Sequence, residues 1–91
     1  MKVIRETLVA NTQKNFNFDV EGFEFLIKNF TEDDIYVSLD TNVNKNRSIK
    51  IPSMTAQECC IHKYTSSNYK TDTVRILSLV DGEVEVQCTL W

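Results

Sequence analysis

The chain predicts an all-β fold: a single antiparallel β-sandwich of seven to eight strands, immunoglobulin-like or jelly-roll in topology. Three observations point there. Apolar and polar residues alternate over most of the length, as where Val84, Val86, Cys88 and Leu90 are interleaved with Glu83, Glu85, Gln87 and Thr89; side chains of a strand point to opposite faces in turn, so this is the pattern of a half-buried strand. Strand-like runs recur roughly every 8–12 residues, the cadence of a sandwich or small barrel. No segment keeps a helical period for more than about two turns.

Taken in order, residues 2–9 give an imperfect strand carrying Val3, Ile4 and Leu8, and residues 11–15 are polar and turn-like. Phe16, Phe18 and Val20 alternate with Asn17 and Asp19. Glu21-Gly22 then reads as a tight turn, because glycine accepts a positive φ without steric cost. Phe23, Phe25 and Ile27 resume the alternation, so residues 16–20 and 23–29 read as a hairpin. The Thr31-Glu32-Asp33-Asp34 cluster reads as a turn, since Asp and Thr side chains hydrogen-bond their own backbone. Ile35, Val37 and Leu39 face inward against Tyr36, Ser38 and Asp40. Residues 41–47 form an Asn-rich loop, long for a hairpin, that projects from the body or crosses between sheets.

Ile49 and Ile51 define a short inward strand that Pro52 ends, because proline has no N–H for a ladder. Residues 58–64 form another strand, with Cys59, Ile61 and Lys63 on one face and Cys60, His62 and Tyr64 on the other. After a polar loop, Val74 and Ile76 alternate with Arg75 and Leu77. Asp81-Gly82 carries the signature of a type I′ hairpin turn. The expected inward face is Phe16, Phe18, Phe25, Ile27, Ile35, Val37, Ile49, Ile51, Ile61, Val74, Ile76, Val84, Val86 and Leu90. The first and last strands, long and free of proline, are expected at sheet edges, where unpaired backbone groups invite self-association.

Composition bounds the function. The 91 residues make one domain, 1–91, with one core and little room for a deep pocket. A net charge of −3 does not draw nucleic acid or anionic lipid without a local basic patch, and Lys45, Arg47 and Lys50 read instead as a solvated loop and strand edge. Neither nucleic acid nor membrane is expected as a partner. Arg5 and Glu6 interrupt the N-terminal apolar run, so it is no secretory signal, and no apolar run is long enough to span a bilayer. The chain is expected in the cytoplasm of its host cell at synthesis, with three reduced cysteines whose odd number argues against a disulfide framework.

No catalytic, cofactor or metal motif emerges. Cys60, His62 and Cys88 would be the three zinc ligands if any were, yet they lack the knuckle spacing of structural zinc. A single histidine without an oxyanion-hole sequence does not make a nucleophilic site. Glu32, Asp33 and Asp34 lie consecutively in a turn and are read as solvated turn residues, neither acid–base pair nor calcium loop. The candidate contact surface is aromatic: Tyr36, Tyr64, Tyr69 and Trp91, with Phe30, fall on faces or loops opposite the expected core, where aromatics serve protein interfaces or sugar platforms. Trp91 is expected to dock on its own body or on a neighbour.

The stretch F-E-F-L-I-K-N-F-T-E-D-D-I-Y-V-S at residues 23–38, with S-I-K-I-P at 48–52 and G-E-V-E-V-Q at 82–87, resembles small phage- and prophage-encoded virion structural proteins of Gram-positive bacteria. The resemblance spans about residues 23–87, most of the chain. It implies a β-sandwich accessory part of a capsid, tail or fibre that ends in the virion, with no catalytic residues and no cofactor. Its partners would be itself, as a homo-oligomer, or other virion proteins. Such relatives often have a glycine after the I-P element, where this chain has Ser53-Met54. The alternative from the residues themselves is a carbohydrate or cell-surface ligand-binding module that uses the exposed tyrosines and the Asn-rich loop.

Overall fold

Period-two patterning becomes eight strands in the computed structural model, which describes residues 2–40, 42–61 and 70–91. They are β1 (Lys2–Leu8), β2 (Thr12–Gly22), β3 (Glu24–Asn29), β4 (Ile35–Ser38), β5 (Ile49–Ile51), β6 (Ala56–Cys60), β7 (Thr71–Ser78) and β8 (Gly82–Leu90). All pairings are antiparallel. Sheet A has the order β1-β8-β3-β6 and sheet B the order β2-β7-β4-β5. The chain changes sheet at each step except between β4 and β5. That order is an eight-stranded jelly roll and excludes the immunoglobulin alternative, in which the first two strands are sheet neighbours.

The topology corrects both expected hairpins. β2 lies in sheet B and β3 in sheet A, and β7 and β8 are split in the same way. Glu21-Gly22 and Asp81-Gly82 are therefore corners between sheets, and neither glycine has a positive φ. Each is glycine because another chain segment passes close by. A Cβ on Gly22 would overlap Cys88 Sγ and lie 2.8 Å from the Leu90 carbonyl oxygen, and a Cβ on Gly82 would lie 2.8 Å from Thr31 Cβ. Local turn chemistry signals that the chain bends; it does not say into which sheet. The polar residues 12–15 likewise belong to β2, because they border the outer edge of sheet B and need not be apolar.

The inner faces meet in a core of Phe16, Phe18, Phe25, Ile27, Ile35, Val37, Ile51, Val74, Ile76, Val84 and Val86, joined by Leu8, Leu39, Cys59 and Cys88. Ile49 and Ile61 pack against it partly buried. The Phe18 and Phe25 rings, one from each sheet, meet at 5.5 Å with a 47° tilt, a favourable aromatic arrangement. Leu90 is an exception to the inward set, at 45% exposed. The register explains it: Phe25 pairs with Cys88, but Glu24 pairs with Leu90, so Thr89 is an extra residue. The bulge turns Leu90 to the outer face, and the Thr89 hydroxyl donates to the Glu24 carbonyl oxygen at 3.2 Å.

β1 is an edge strand, as expected, but β8 lies between β1 and β3 at the centre of sheet A. It is covered on its inner face and paired on both sides. The edges β1 and β2 carry Lys2, Glu6 and Lys14 in the same rows as the inward Ile4, Leu8 and Phe16. Charges placed on the inner row of an edge strand oppose edge-to-edge pairing with another sheet.

One end of the sandwich is tied by a buried polar network. Asn29, 1% exposed, donates from Nδ2 to the carbonyl oxygens of Asp33 at 2.9 Å and of Ile51 and Pro52 at 3.1 Å. Its Oδ1 accepts from the Thr31 N–H and hydroxyl, each at 2.8 Å. The Ser53 hydroxyl donates to the Thr31 carbonyl at 2.6 Å. The acidic stretch after Thr31 is a turn, as expected, held by the Asp34 N–H bonding to Asp33 Oδ1. Met54 adopts φ 58°, the left-handed region that favours glycine. It is the second residue after Pro52.

Candidate functional site

Each sheet has an outer face, and the two are built differently. On sheet A, Glu85 of β8 stands between Arg5 of β1 and Lys28 of β3 in one cross-strand row. Arg5 donates to Glu85 Oε1 from Nη2 at 2.6 Å and from Nε at 3.1 Å. Gln87 Nε2 donates to Oε2 at 2.8 Å, and Lys28 Nζ lies 3.2 Å from the same oxygen. These partners cover the carboxylate to 4% exposure although it points away from the core. The Arg5 hydrogen bond, followed by that of Gln87, holds the Glu85 carboxyl at about 2. Both oxygens are fully engaged, so this group is a structural anion.

On sheet B the corresponding central residue is Arg75 of β7, between Asn15 of β2 and Ser38 of β4. Its Nη1 is enclosed and has no hydrogen-bond partner. Asn15 does not help, because its Oδ1 accepts from Gln13 Nε2 at 2.9 Å. Ser38 is turned to Asp40, with Oγ 3.4 Å from Oδ1. Tyr36, half-buried, shares this face in the neighbouring row with Leu77 and Lys50.

The loop between β4 and β5 covers the face. The chain leaves β4 at Ser38 and enters β5 at Ile49, yet the Val43 N–H donates to Gln13 Oε1 at 2.8 Å and Gln13 Nε2 lies 3.3 Å from Asn42 Oδ1. Gln13 is on β2, and β7 lies between β2 and β4. The loop therefore crosses the outer side of β7 at the level of Arg75 and Leu77. It is shaped by Asn44, whose carbonyl accepts from Arg47 and Ser48 and whose Oδ1 accepts from the Asn46 N–H at 3.0 Å. The Asn-rich segment thus neither projects nor changes sheet. It folds back over sheet B.

The expected contact aromatics do not form one surface. Tyr36 lies on the outer face of sheet B, whereas Trp91 follows β8 of sheet A and is left 50% exposed by its own body. Tyr64 and Tyr69 lie outside the described residues, as does His62. Phe30, 44% exposed, sits at the end of the sandwich tied by Asn29, together with Val9 and Met54, each 64% exposed.

Of the three zinc candidates, His62 lies outside the described residues, and Cys60 and Cys88 are not brought together. Cys60 is on the outer side of β6, while Cys88 is buried on the inner side of β8. The residue that shares its row and its face is Cys59, with Phe25 between them. Burial pushes the Cys59 thiol up to about 12 and raises that of Cys88, so both behave as small core residues. Among the described residues no cluster of three His, Cys, Asp or Glu side chains could hold a metal.

Sequence reasoning passed over Arg75 and Gln13. A signal for the first exists: Arg75 is a cation inside the apolar run V-R-I-L. The clamp by Gln13 has none, because it depends on a loop crossing a strand. Comparison with known proteins finds no matching family model, no matching curated protein and no matching solved structure.

Proposed function

We propose that the chain is a non-enzymatic structural or assembly protein, a phage or prophage virion accessory that acts by self-association or by docking onto a larger particle. The observation that carries this reading is where apolar side chains meet water. Val9, Phe30 and Met54 lie at one end of the sandwich, and Leu90 and Trp91 lie at the other. Exposed large apolar side chains grouped at the ends of a rigid body suit contacts that are completed by another protein. The inner-row charges of β1 and β2 disfavour pairing through that side of the sandwich. The jelly roll itself occurs in capsid and lectin domains alike, so it supports a particle role only by analogy.

Sedimentation velocity across a micromolar concentration series tests the self-association. The wild-type chain forms dimers or larger species, and Phe30→Ser combined with Met54→Ser shifts the distribution to monomer. A chain that stays monomeric at high micromolar concentration, and does not co-sediment with particles, removes the reading.

A second reading, a carbohydrate-binding module, is favoured by Tyr36 on a face rich in amides and hydroxyls. Glycan-array binding lost in Tyr36→Ala supports it; an array with no signal does not.

A further inference from the structure

We propose that Arg75 anchors a binding site for an oxyanion, a carboxylate or phosphate group of a small acidic ligand, that enters when residues 42–48 lift from the outer face of β7. This does not depend on self-association, and it gives the face bearing Tyr36 a chemical preference.

Three observations converge on it. A guanidinium nitrogen with no acceptor and no solvent is an uncompensated arrangement, since burying a charged donor without a partner is costly. No hydrogen bond or ion pair joins the Arg75 side chain to any described residue, whereas Glu85, its counterpart on the other sheet, is engaged on both oxygens. Among the described residues, the side chain that ties the cover to β2 is Gln13, which accepts from the Val43 N–H and donates weakly to Asn42.

The charges facing the site favour an anion. The covering segment N-V-N-K-N-R-S carries Lys45 and Arg47 and no acid. Lys50 follows on β5 but is engaged with Asp34 at 3.3 Å. The neighbouring carboxylates, Asp40 at the start of the loop and Asp72 on β7, are both exposed. Asp72 accepts from the Thr73 hydroxyl at 2.8 Å, and Asp40 lies by Ser38. Neither reaches Arg75. Once the segment lifts, the planar guanidinium offers two parallel N–H groups to a carboxylate or phosphate, with Ser38 and Asn15 alongside as neutral polar groups. Closure instead satisfies Gln13 and strands Nη1. Ligand and loop therefore compete for one surface, and weakening the loop should favour the ligand.

That competition defines the test. Isothermal titration and amide chemical-shift mapping would be run with D-glucuronate, D-glucose, acetate and inorganic phosphate on the wild-type chain, Arg75→Gln and Gln13→Ala, each variant first checked by thermal unfolding. Saturable binding of glucuronate or phosphate is expected. Affinity should fall roughly ten- to a hundred-fold in Arg75→Gln, rise in Gln13→Ala, and weaken with added salt. Acetate and glucuronate against phosphate separates a carboxylate source from a phosphate one. If neither anion binds the wild-type chain or Gln13→Ala, or if Arg75→Gln binds like wild type, the proposal is wrong. Glucose binding that is untouched by Arg75→Gln also overturns it, while leaving the carbohydrate reading in place.

Discussion

The two central strands, β7 and β8, each put one charged residue at the middle of an outer face, and the two are treated in opposite ways. Glu85 is nested among Arg5, Lys28 and Gln87 in a row that three strands build together. Arg75 stands between Asn15 and Ser38, which bond elsewhere, beneath a loop whose described residues supply it no acceptor. Glu85 shows how a sheet face stabilises a charge with its own cross-strand neighbours. Arg75 shows a charge for which the fold makes no such provision. A central cation left unmatched on a face otherwise well supplied with hydrogen bonds marks a place where stability has not been maximised, and such places are where binding is expected.

The contrast presumes that both faces rest on one frame, so the harshest test breaks the frame itself. Asn29→Ala removes five hydrogen bonds of a buried side chain and leaves three carbonyl oxygens and Thr31 to find other partners. Chemical denaturation should show a loss of about 2–4 kcal/mol. It should also loosen the turn at residues 31–34 and the loop at 52–55 without altering the order of the two faces. A loss below about 1 kcal/mol would mean that the end is not tied as described.

The next effect in size separates the faces. Glu85→Gln keeps the shape but removes the charge that Arg5 and Lys28 surround. The expected destabilisation is about 1–2 kcal/mol, reduced from the range for charged hydrogen bonds because Arg5 is 59% exposed. Arg5→Ala should lower stability by less, since Lys28 and Gln87 remain on the carboxylate. If Glu85→Gln is neutral, the row on sheet A is decoration and the comparison loses one side.

Acid sharpens the same point. The folded Glu85 carboxyl sits at about 2, below its ordinary value of 4.5. A depressed value means that its contribution is fully present above the unfolded value and is lost as pH falls from about 4.5 toward 2. Melting temperature followed across that window should drop for the wild-type chain. Glu85→Gln should flatten that part of the drop, and Arg75→Gln should leave it in place. Equal slopes in wild type and Glu85→Gln would assign the acid sensitivity to other carboxylates, such as Asp19, which Lys2 also holds below its usual range.

How much of this was legible in the residues follows from what period-two patterning encodes. It reports which face a side chain takes, because that is set by the strand itself. Phe16, Phe18, Val74, Ile76, Val84 and Val86 accordingly appear in the core as read, and Glu85 and Arg75 outside it. It does not report which strand is the neighbour. Gly22 and Gly82 were legible as bends but not as sheet changes, because the reason for glycine lies in Leu90 and Thr31, far along the chain. Leu90 was misplaced for a related reason: one inserted residue, Thr89, reverses the faces after it, and nothing local to Thr89 announces a bulge. The same limit applies at the candidate site. Arg75 is visible as a charge in an apolar run, but its lack of a partner depends on β2, on β4 and on a loop that crosses between them.

The smallest expected effect on stability is the one that bears most directly on Arg75. Replacing a paired charge should cost stability, and replacing an unpaired, enclosed one should not. Arg75→Met keeps the length of the stem and its packing on the sheet, while removing the enclosed nitrogen. Its unfolding free energy should equal that of the wild-type chain or exceed it by up to about 1 kcal/mol. Methionine rather than alanine is the informative choice, because truncation would also remove the aliphatic stem and confuse lost packing with lost charge. Measured beside Glu85→Gln by the same denaturant titration, the two substitutions should move in opposite directions. A clear loss in Arg75→Met would show that the guanidinium is matched in solution after all, by Asp40 of the loop or Asp72 of its own strand. In that case the two faces would be alike: each would hold a charge that its own neighbours stabilise, and the loop over β7 would be a cover with nothing beneath it to bind.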